Sequence, residues 1–209
     1  MNKARLIAAA LMTAASLGAL AQSSLTAAFA EAPQRVFPLL DRDARLDMID
    51  YFQAGKSTAS TNRFNGKSRI TSLSPMQMRV SMTDASNCEL DLLPTPGDTL
   101  VMMITTVKTP SPDSRMSVYS SDWESDLTAD VFTKPVLADW VSDKSRRDEV
   151  AALLPFLLVS YAYDPATGVL TLTNNTKQFA SADVYEIVAP ALRQSLRYKW
   201  TGTKFKPLP

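Results

Sequence analysis

From Leu40 to Phe52 the apolar residues Leu40, Ala44, Met48, Tyr51 and Phe52 recur at the i, i+4, i+8, i+11, i+12 spacing that lines one face of a helix. Pro38 stands near its start and Gly55 just past its end, the usual asymmetry of helix start and stop signals. Lys56 to Lys67 is polar and reads as a connection. The period then changes. Met76 to Met82, Cys88 to Leu93, Thr99 to Val107 and Met116 to Tyr119 are short alternating or β-branched runs, with turns at Pro94-Thr95-Pro96-Gly97-Asp98 and Pro110-Ser111-Pro112-Asp113. They predict an antiparallel meander.

Helical signals return over Thr133 to Val141 and Ser145 to Leu154, with Pro135 near a first turn and Ser145 to Asp148 spaced like a capping box. Pro155 disfavours helical geometry at Leu154 and ends the second segment there. Phe156 to Tyr163 and Val169 to Thr173 are strand-like, separated by a turn at Asp164 to Gly168. Val184 to Val188, Leu196 to Trp200 and Thr203 to Phe205 complete a second meander. Both halves run from helix to strands and end in a Tyr and Trp cluster, Tyr119 with Trp123 and Tyr198 with Trp200. The pattern predicts an α+β fold of two tandem helix-then-antiparallel-sheet repeats, residues 31–126 and 127–209, the alternative being one larger sheet.

Residues 1–30 stand apart. Lys3 and Arg5 precede an uncharged apolar run from Leu6 to Ala21, and Ala19-Leu20-Ala21 and Ala28-Phe29-Ala30 both fit small-residue cleavage sites. This is the pattern of a signal peptide. The reading here takes cleavage after Ala30, with Ala21 the other option, and expects a periplasmic or secreted mature chain. Val150 to Ala162 is too short to span a bilayer and contains Pro155, so no membrane span is expected in the mature chain. The sole cysteine, Cys88, excludes an internal disulfide and does not follow the apolar run as a lipid-bearing cysteine would. Removing residues 1–30 takes away two bases and no acid, which turns 22 Lys and Arg against 21 Asp and Glu into a net charge of −1. A dispersed, near-neutral charge argues against nucleic acid as a partner.

The chain has no histidine, which removes the commonest general base, the usual nucleophilic triads and the commonest zinc ligand. Cys88 lies among Glu89 and Asp91, which disfavour a thiolate. No nucleophile elbow, P-loop or dinucleotide fingerprint is present, and no cofactor or metal is expected. Asp43, Asp47 and Asp50 share a helix face, which fits a solvated acidic surface better than a calcium or catalytic site. The aromatic residues Trp123, Trp140, Tyr198 and Trp200, with Tyr161, Tyr163 and Tyr185, offer either core or a flat binding surface. Gly66-Lys67-Ser68-Arg69 and Asp113-Ser114-Arg115 set cations beside small polar residues at turns, where an anion could be gripped, but ordinary loop solvation accounts for both runs better.

Phe37-Pro38-Leu39-Leu40 followed by Arg45 to Phe52, then Gly66 to Ile70, Asp113-Ser114-Arg115 and Asp122-Trp123, resembles an uncharacterised family of small exported proteins from gut and oral Bacteroidales, a domain of unknown function. That resemblance implies no activity for any residue. The helix-and-meander order also resembles the repeat architecture of the β-lactamase inhibitor protein, by architecture alone. Asp98-Thr99-Leu100 resembles the acceptor triplet of O-glycosylation in Bacteroidetes, which marks Thr99. The expected function is an exported, non-catalytic binding or assembly module of the cell envelope, with an envelope protein or glycan as partner. The alternatives are a carboxylate-dependent glycan hydrolase and a structural subunit of an envelope complex.

Overall fold

The computed structural model describes residues 25–209. The basic start and apolar run of the expected leader, Lys3 to Ala21, lie outside the described residues. The described chain enters in a helix, α1 (residues 25–31), and turns through residues 32–40 into α2 (Arg42–Gln53). Asp41 caps α2 by accepting from the Ala44 amide at 2.9 Å, and Gly55, at φ +67°, ends it in the left-handed geometry that glycine adopts without a Cβ clash.

Six strands follow as an antiparallel meander in simple sequence order: β1 (Ser60–Thr61), β2 (Lys67–Leu73), β3 (Gln77–Thr83), β4 (Ser86–Pro94), β5 (Thr99–Val107) and β6 (Asp113–Tyr119). The short helices α3 (Thr128–Val131), α4 (Leu137–Trp140) and α5 (Arg147–Leu153) lead to β7 (Val159–Asp164) and β8 (Val169–Asn174). Then come α6 (Ala182–Val188), β9 (Ser195–Trp200) and β10 (Phe205–Pro207), and the second sheet has the order β10-β9-β8-β7. The fold is therefore α+β, with a six-stranded and a four-stranded antiparallel sheet.

Four sequence expectations shift. β1 and the first residue of β2, Lys67, fall in the predicted polar connection and the rest of β2 carries no predicted element, because only Ser68 and Ile70 on it are buried and the apolar alternation is thin. Val184 to Val188 is helix, not strand: Ser181 accepts from the Val184 amide as an N-cap, and Val184, Ile187 and Val188 fall at i, i+3, i+4. The turn before α5 is capped by Asp143, which accepts from the Ser145 amide at 3.0 Å, so Ser145 does not start a capping box. The segment Thr133 to Val141 is helical only over α4.

The six-stranded sheet is apolar on both faces. Met78, Val80, Met82, Cys88, Leu90, Leu92 and Val101 pack with Leu25, Phe29, Phe37, Leu40, Met48 and Ile49 in one core. Leu93, Leu100, Met102, Ile104, Met116 and Val118 point the other way, into a second core with Trp140, Val150, Leu154, Leu170, Leu172, Val188 and Trp200. The residues before and after 126 thus share a core. The four-stranded sheet has one apolar face, carrying Tyr161, Tyr163, Leu170, Leu172, Tyr198 and Trp200, and an outer face of Ser160, Thr171, Thr173, Arg197 and Lys199, the alternation of a sheet wet on one side.

Two side chains fix the N-terminal segment. Arg45 is 2% exposed and donates to the carbonyls of Leu40 (2.8 Å), Ala32 (2.6 Å) and Ala30 (3.1 Å), with its guanidinium over the Phe37 ring. Trp123 holds a left-handed backbone, φ 65°, which costs a non-glycine residue about 1–3 kcal/mol. The surroundings over-determine it. Its indole N–H donates to the Ala28 carbonyl at 3.0 Å, its own carbonyl accepts from Arg35 Nη2 at 2.6 Å, and its ring packs on Tyr119 and Phe37. Trp123→Phe is expected to lower stability by about 1–3 kcal/mol, because the half-buried Ala28 carbonyl loses its indole donor. Trp123→Ala should cost about 3–5 kcal/mol. Urea unfolding midpoints measure both, and equal midpoints for wild type and Trp123→Ala would contradict this role.

Candidate binding groove

The helical cover of the first sheet is narrower than the sheet. α2 packs on β1 and β2, and the loop from Arg35 to Leu39 runs beside the upper strands, leaving the same face of β5 and β6 open. The result is a groove of about 600 Å³. Its wall is Val36, Phe37 and Leu39, and Cys88, Met103, Thr105 and Val107 form its floor, with Ser117 and Tyr119 beside them. This register follows from the pairing: Cys88 opposes Thr105, Met103 opposes Ser117, Val101 opposes Tyr119, and Thr105 opposes Arg115, so all their side chains leave the sheet on one side.

Three cations rim the groove. Arg115 extends from β6, Lys134 from the loop after α3, and Arg35 from the wall, where its guanidinium also holds Trp123. Arg115 and Lys134 make no hydrogen bond or ion pair among the described residues. The one carboxylate in the lining, Asp113, accepts from the Val159 amide at 3.0 Å. An apolar floor with hydroxyls and a basic rim suits a ligand that is partly apolar and anionic. Cys88 lies buried in that floor, and its burial pushes the thiol up to about 12, so it is no nucleophile at neutral pH.

A second crevice, about 230 Å³, opens on the other face of the sheet between Arg79, Asn87, Glu89 and Thr106 and the β7 residues Ser160 and Tyr161. Here the edge of one sheet is capped by side chains of the other. The outward amides of Val159, Tyr161 and Tyr163 donate to Asp113 Oδ1 (3.0 Å), Ser114 Oγ (3.0 Å) and Glu89 Oε1 (3.4 Å), and Gln77 Nε2 donates to the Tyr163 carbonyl (3.0 Å). Asp91 sits in this junction, fully buried. Its Oδ1 accepts from Gln77 at 2.8 Å, while Oδ2 has no partner. Burial, with the Glu89 carboxylate nearby, holds the Asp91 carboxyl well above the usual carboxylate range. Glu89 in turn pairs with Arg79 at 2.8 Å. Two acids meet here, one with a raised pKa, but Asp91 has no open path to a substrate.

The residues marked in the sequence fall as follows. Trp123, Trp140 and Trp200 are core, 2%, 2% and 7% exposed, and Trp200 gives its indole N–H to the Pro94 carbonyl at 2.8 Å. They form no flat outer surface, because the loop, helix and strand that carry them turn these rings inward. Tyr198 is half-buried against Phe132. Thr99 is half-buried at the start of β5 after the β4–β5 turn, and its amide donates to Asp98 Oδ1 at 2.6 Å. Asp43, Asp47 and Asp50 are exposed along α2, and no group of three metal-ligating side chains occurs among the described residues. Of the two basic motifs, Lys67 donates to Thr61 and Ser68 to the Met82 carbonyl, which closes a hairpin, whereas Arg115 faces the groove. Arg35 and Lys134 carried no sequence signal, since only the fold brings them beside Arg115. No helix among the described residues is long and apolar enough to cross a membrane.

Asp91 makes stability pH-dependent in a definite direction. Its folded-state pKa lies above its unfolded one, so its contribution is fully present below the unfolded pKa and is lost as pH rises through the folded value. Asp91→Asn, neutral at every pH and still an acceptor for Gln77, is expected to flatten the fall in stability that sets in as pH rises above about 4, the unfolded-state value of an aspartate. Unfolding midpoints across that rise in pH test it, and identical slopes for both proteins would rule it out.

Comparison with known proteins places these features in context. Residues 17–205 match the family described as "Protein of unknown function (DUF3256)", and the chain belongs to that family. No curated protein matches the chain. Among solved structures, a domain of an uncharacterized protein from Porphyromonas gingivalis W83 is similar in fold, with a TM-score of 0.74 at 18% identity over 88% of this chain and 98% of that one.

Proposed function

We propose that this member of the family is an exported, non-catalytic binding or assembly module of the cell envelope, working in the periplasm or outside the cell, with the groove over β4 to β6 as its contact site. The observation that carries the reading is the convergence of Arg35, Arg115 and Lys134 on an open, apolar-floored face of the sheet. Two long cations held without an ion-pair partner at a cavity are an arrangement that an anionic partner completes. A glycan hydrolase would need two accessible carboxylates, and Glu89 with Asp91 offers one that is sealed. The reading as a structural envelope subunit differs in needing no exchangeable partner. The duplication at residues 126–127, and with it the likeness to the β-lactamase inhibitor protein, stays a proposal about ancestry, supported by helices preceding a meander in both halves.

The leader boundary is part of the proposal. Leu25 and Phe29 are fully buried, and α1 supplies the Ala28 and Ala30 carbonyls to Trp123 and Arg45. Cleavage after Ala30 would remove these groups, at a cost of about 3–5 kcal/mol for Phe29 alone. Cleavage after Ala21 keeps them, and we place the cut there. N-terminal sequencing of the exported protein is expected to begin at Gln22; a start at Glu31 would contradict the role given to α1.

Affinity capture from envelope extracts of the source organism tests the groove. A partner is expected on the wild-type mature protein and not on Arg115→Glu, whose exposed side chain leaves the core untouched. Equal retention by both proteins would move the contact site elsewhere, and recovery of shortened glycans would favour the hydrolase.

A further inference from the structure

We infer that the groove receives an extended peptide of alternating acidic and apolar residues, which adds to β6 as a seventh strand. This rests on the binding reading above and names its ligand class. β6 is the last strand of its sheet, paired along its length with β5 and bridged at its end, Tyr119 to Asp126. Val118 shows which groups face outward: its amide donates to Thr128 Oγ1 at 2.8 Å, and its carbonyl accepts from the Leu127 amide at 2.8 Å. At the other end the Pro112 carbonyl accepts from Asn175 Nδ2 at 2.7 Å. By strand alternation Ser114 and Met116 also turn their N–H and C=O outward, and these groups have no partner among the described residues. Both residues are nearly buried, at 8% and 6% exposure, where an unpaired main-chain polar group costs about 1–3 kcal/mol.

A cavity of about 260 Å³ runs along this open stretch, lined by Met116, Thr128, Phe132, Lys134 and Tyr161 among others. It shares Ser114, Arg115, Ser117 and Lys134 with the larger groove, so the space continues from the groove over the strand edge. Unpaired amides and carbonyls in alternation are met by another main chain, which offers both at matching spacing; a free anion or an acyl chain offers neither. Charge selects the peptide further. Arg115 and Lys134 form no ion pair, Arg115 only helping to hold the Asp126 carboxyl below the usual range, while the facing carboxylates are engaged, Asp113 by the Val159 amide and Asp126 by the Thr128 amide and hydroxyl. Side chains on an added strand alternate between the two faces. Those on the groove side meet Arg115 and Lys134 and are acidic; those on the other side meet Phe132 and Tyr161 and are apolar.

The test is panning of a randomised peptide library, about eight residues long, against the mature protein, followed by affinity measurements on the enriched sequences. Enriched peptides are expected to alternate acidic and apolar residues, and Arg115→Ala and Lys134→Ala are each expected to weaken them about tenfold at low salt, less as salt screens the charges. N-methylation of the peptide amides that face β6 should abolish binding, and methylation of the intervening amides should leave it. Amide exchange at Ser114 and Met116 should slow in the complex. The inference falls if binding survives methylation at every position, or if no peptide is enriched over the Arg115→Ala, Lys134→Ala double variant. Laurate, an anionic acyl chain, runs beside the peptides: Arg115-dependent binding of laurate without peptide enrichment would overturn the peptide and leave the groove standing, and binding of neither, with failed capture, would remove both.

Discussion

β5 sends Leu100, Met102 and Ile104 to one side of the sheet and Val101 and Met103 to the other, and each side must be shielded from water. Full burial of each such side chain contributes about 1.5–3 kcal/mol, so neither face can be left bare. A strand hydrophobic on both faces demands a layer above and a layer below. The N-terminal helices supply one layer; the helices and four-stranded sheet after residue 126 supply the other. This demand explains why the two parts of the chain share a core, where two independent repeats would each close their own.

The upper layer is incomplete, and the groove exists for that reason. On β6 the groove-facing positions are Asp113, Arg115, Ser117 and Tyr119, while Met116 and Val118 face the second core. A strand with one polar face tolerates partial cover, so the loop from Arg35 to Leu39 can stop beside it without closing over it. That loop is held by groups that do not belong to the groove. Arg45 gathers the carbonyls on either side of the loop, and Trp123 joins α1, Arg35 and the end of β6. Preorganisation of the wall lowers the ordering cost that a ligand would otherwise meet.

Much of this was legible in the sequence because it is periodic. α2, the meander from β3 to β6 and the hairpin of β7 and β8 follow their hydrophobic spacing closely, whereas Arg115 read as a turn cation and α1 as part of the leader. What was lost has local causes. β-branched residues from Val184 to Val188 mimic a strand until the Ser181 cap is weighed, and β2 buries too few apolar residues to register. The tryptophans, read as core or as binding surface, are core, because whether an indole turns inward depends on partners such as the Ala28 and Pro94 carbonyls, far away in the chain. The meeting of Arg35, Arg115 and Lys134 has no linear signature at all, nor does the unpaired edge of β6, since both are products of which strands end up neighbours.

The junction between the sheets shows the same economy of polar groups used differently. Where β7 crosses the first sheet its outward amides would be buried and unpaired, and Asp113, Ser114 and Glu89 provide the acceptors that a neighbouring strand would have provided. Apolar contacts alone would allow β7 to slide across a surface of methionines and leucines, whereas side-chain acceptors spaced along β4 and β6 accept amides at one register only. The desolvation of Asp91 is the accompanying cost: holding Gln77 against both its carboxyl and the Tyr163 carbonyl keeps the register, and favours the protonated acid in the folded state. β6 therefore serves both layers. Its Ser114 hydroxyl anchors the second sheet while its neighbouring main chain stays unpaired, so the strand that positions the groove is itself fixed by the C-terminal layer and does not depend on a ligand to hold its shape.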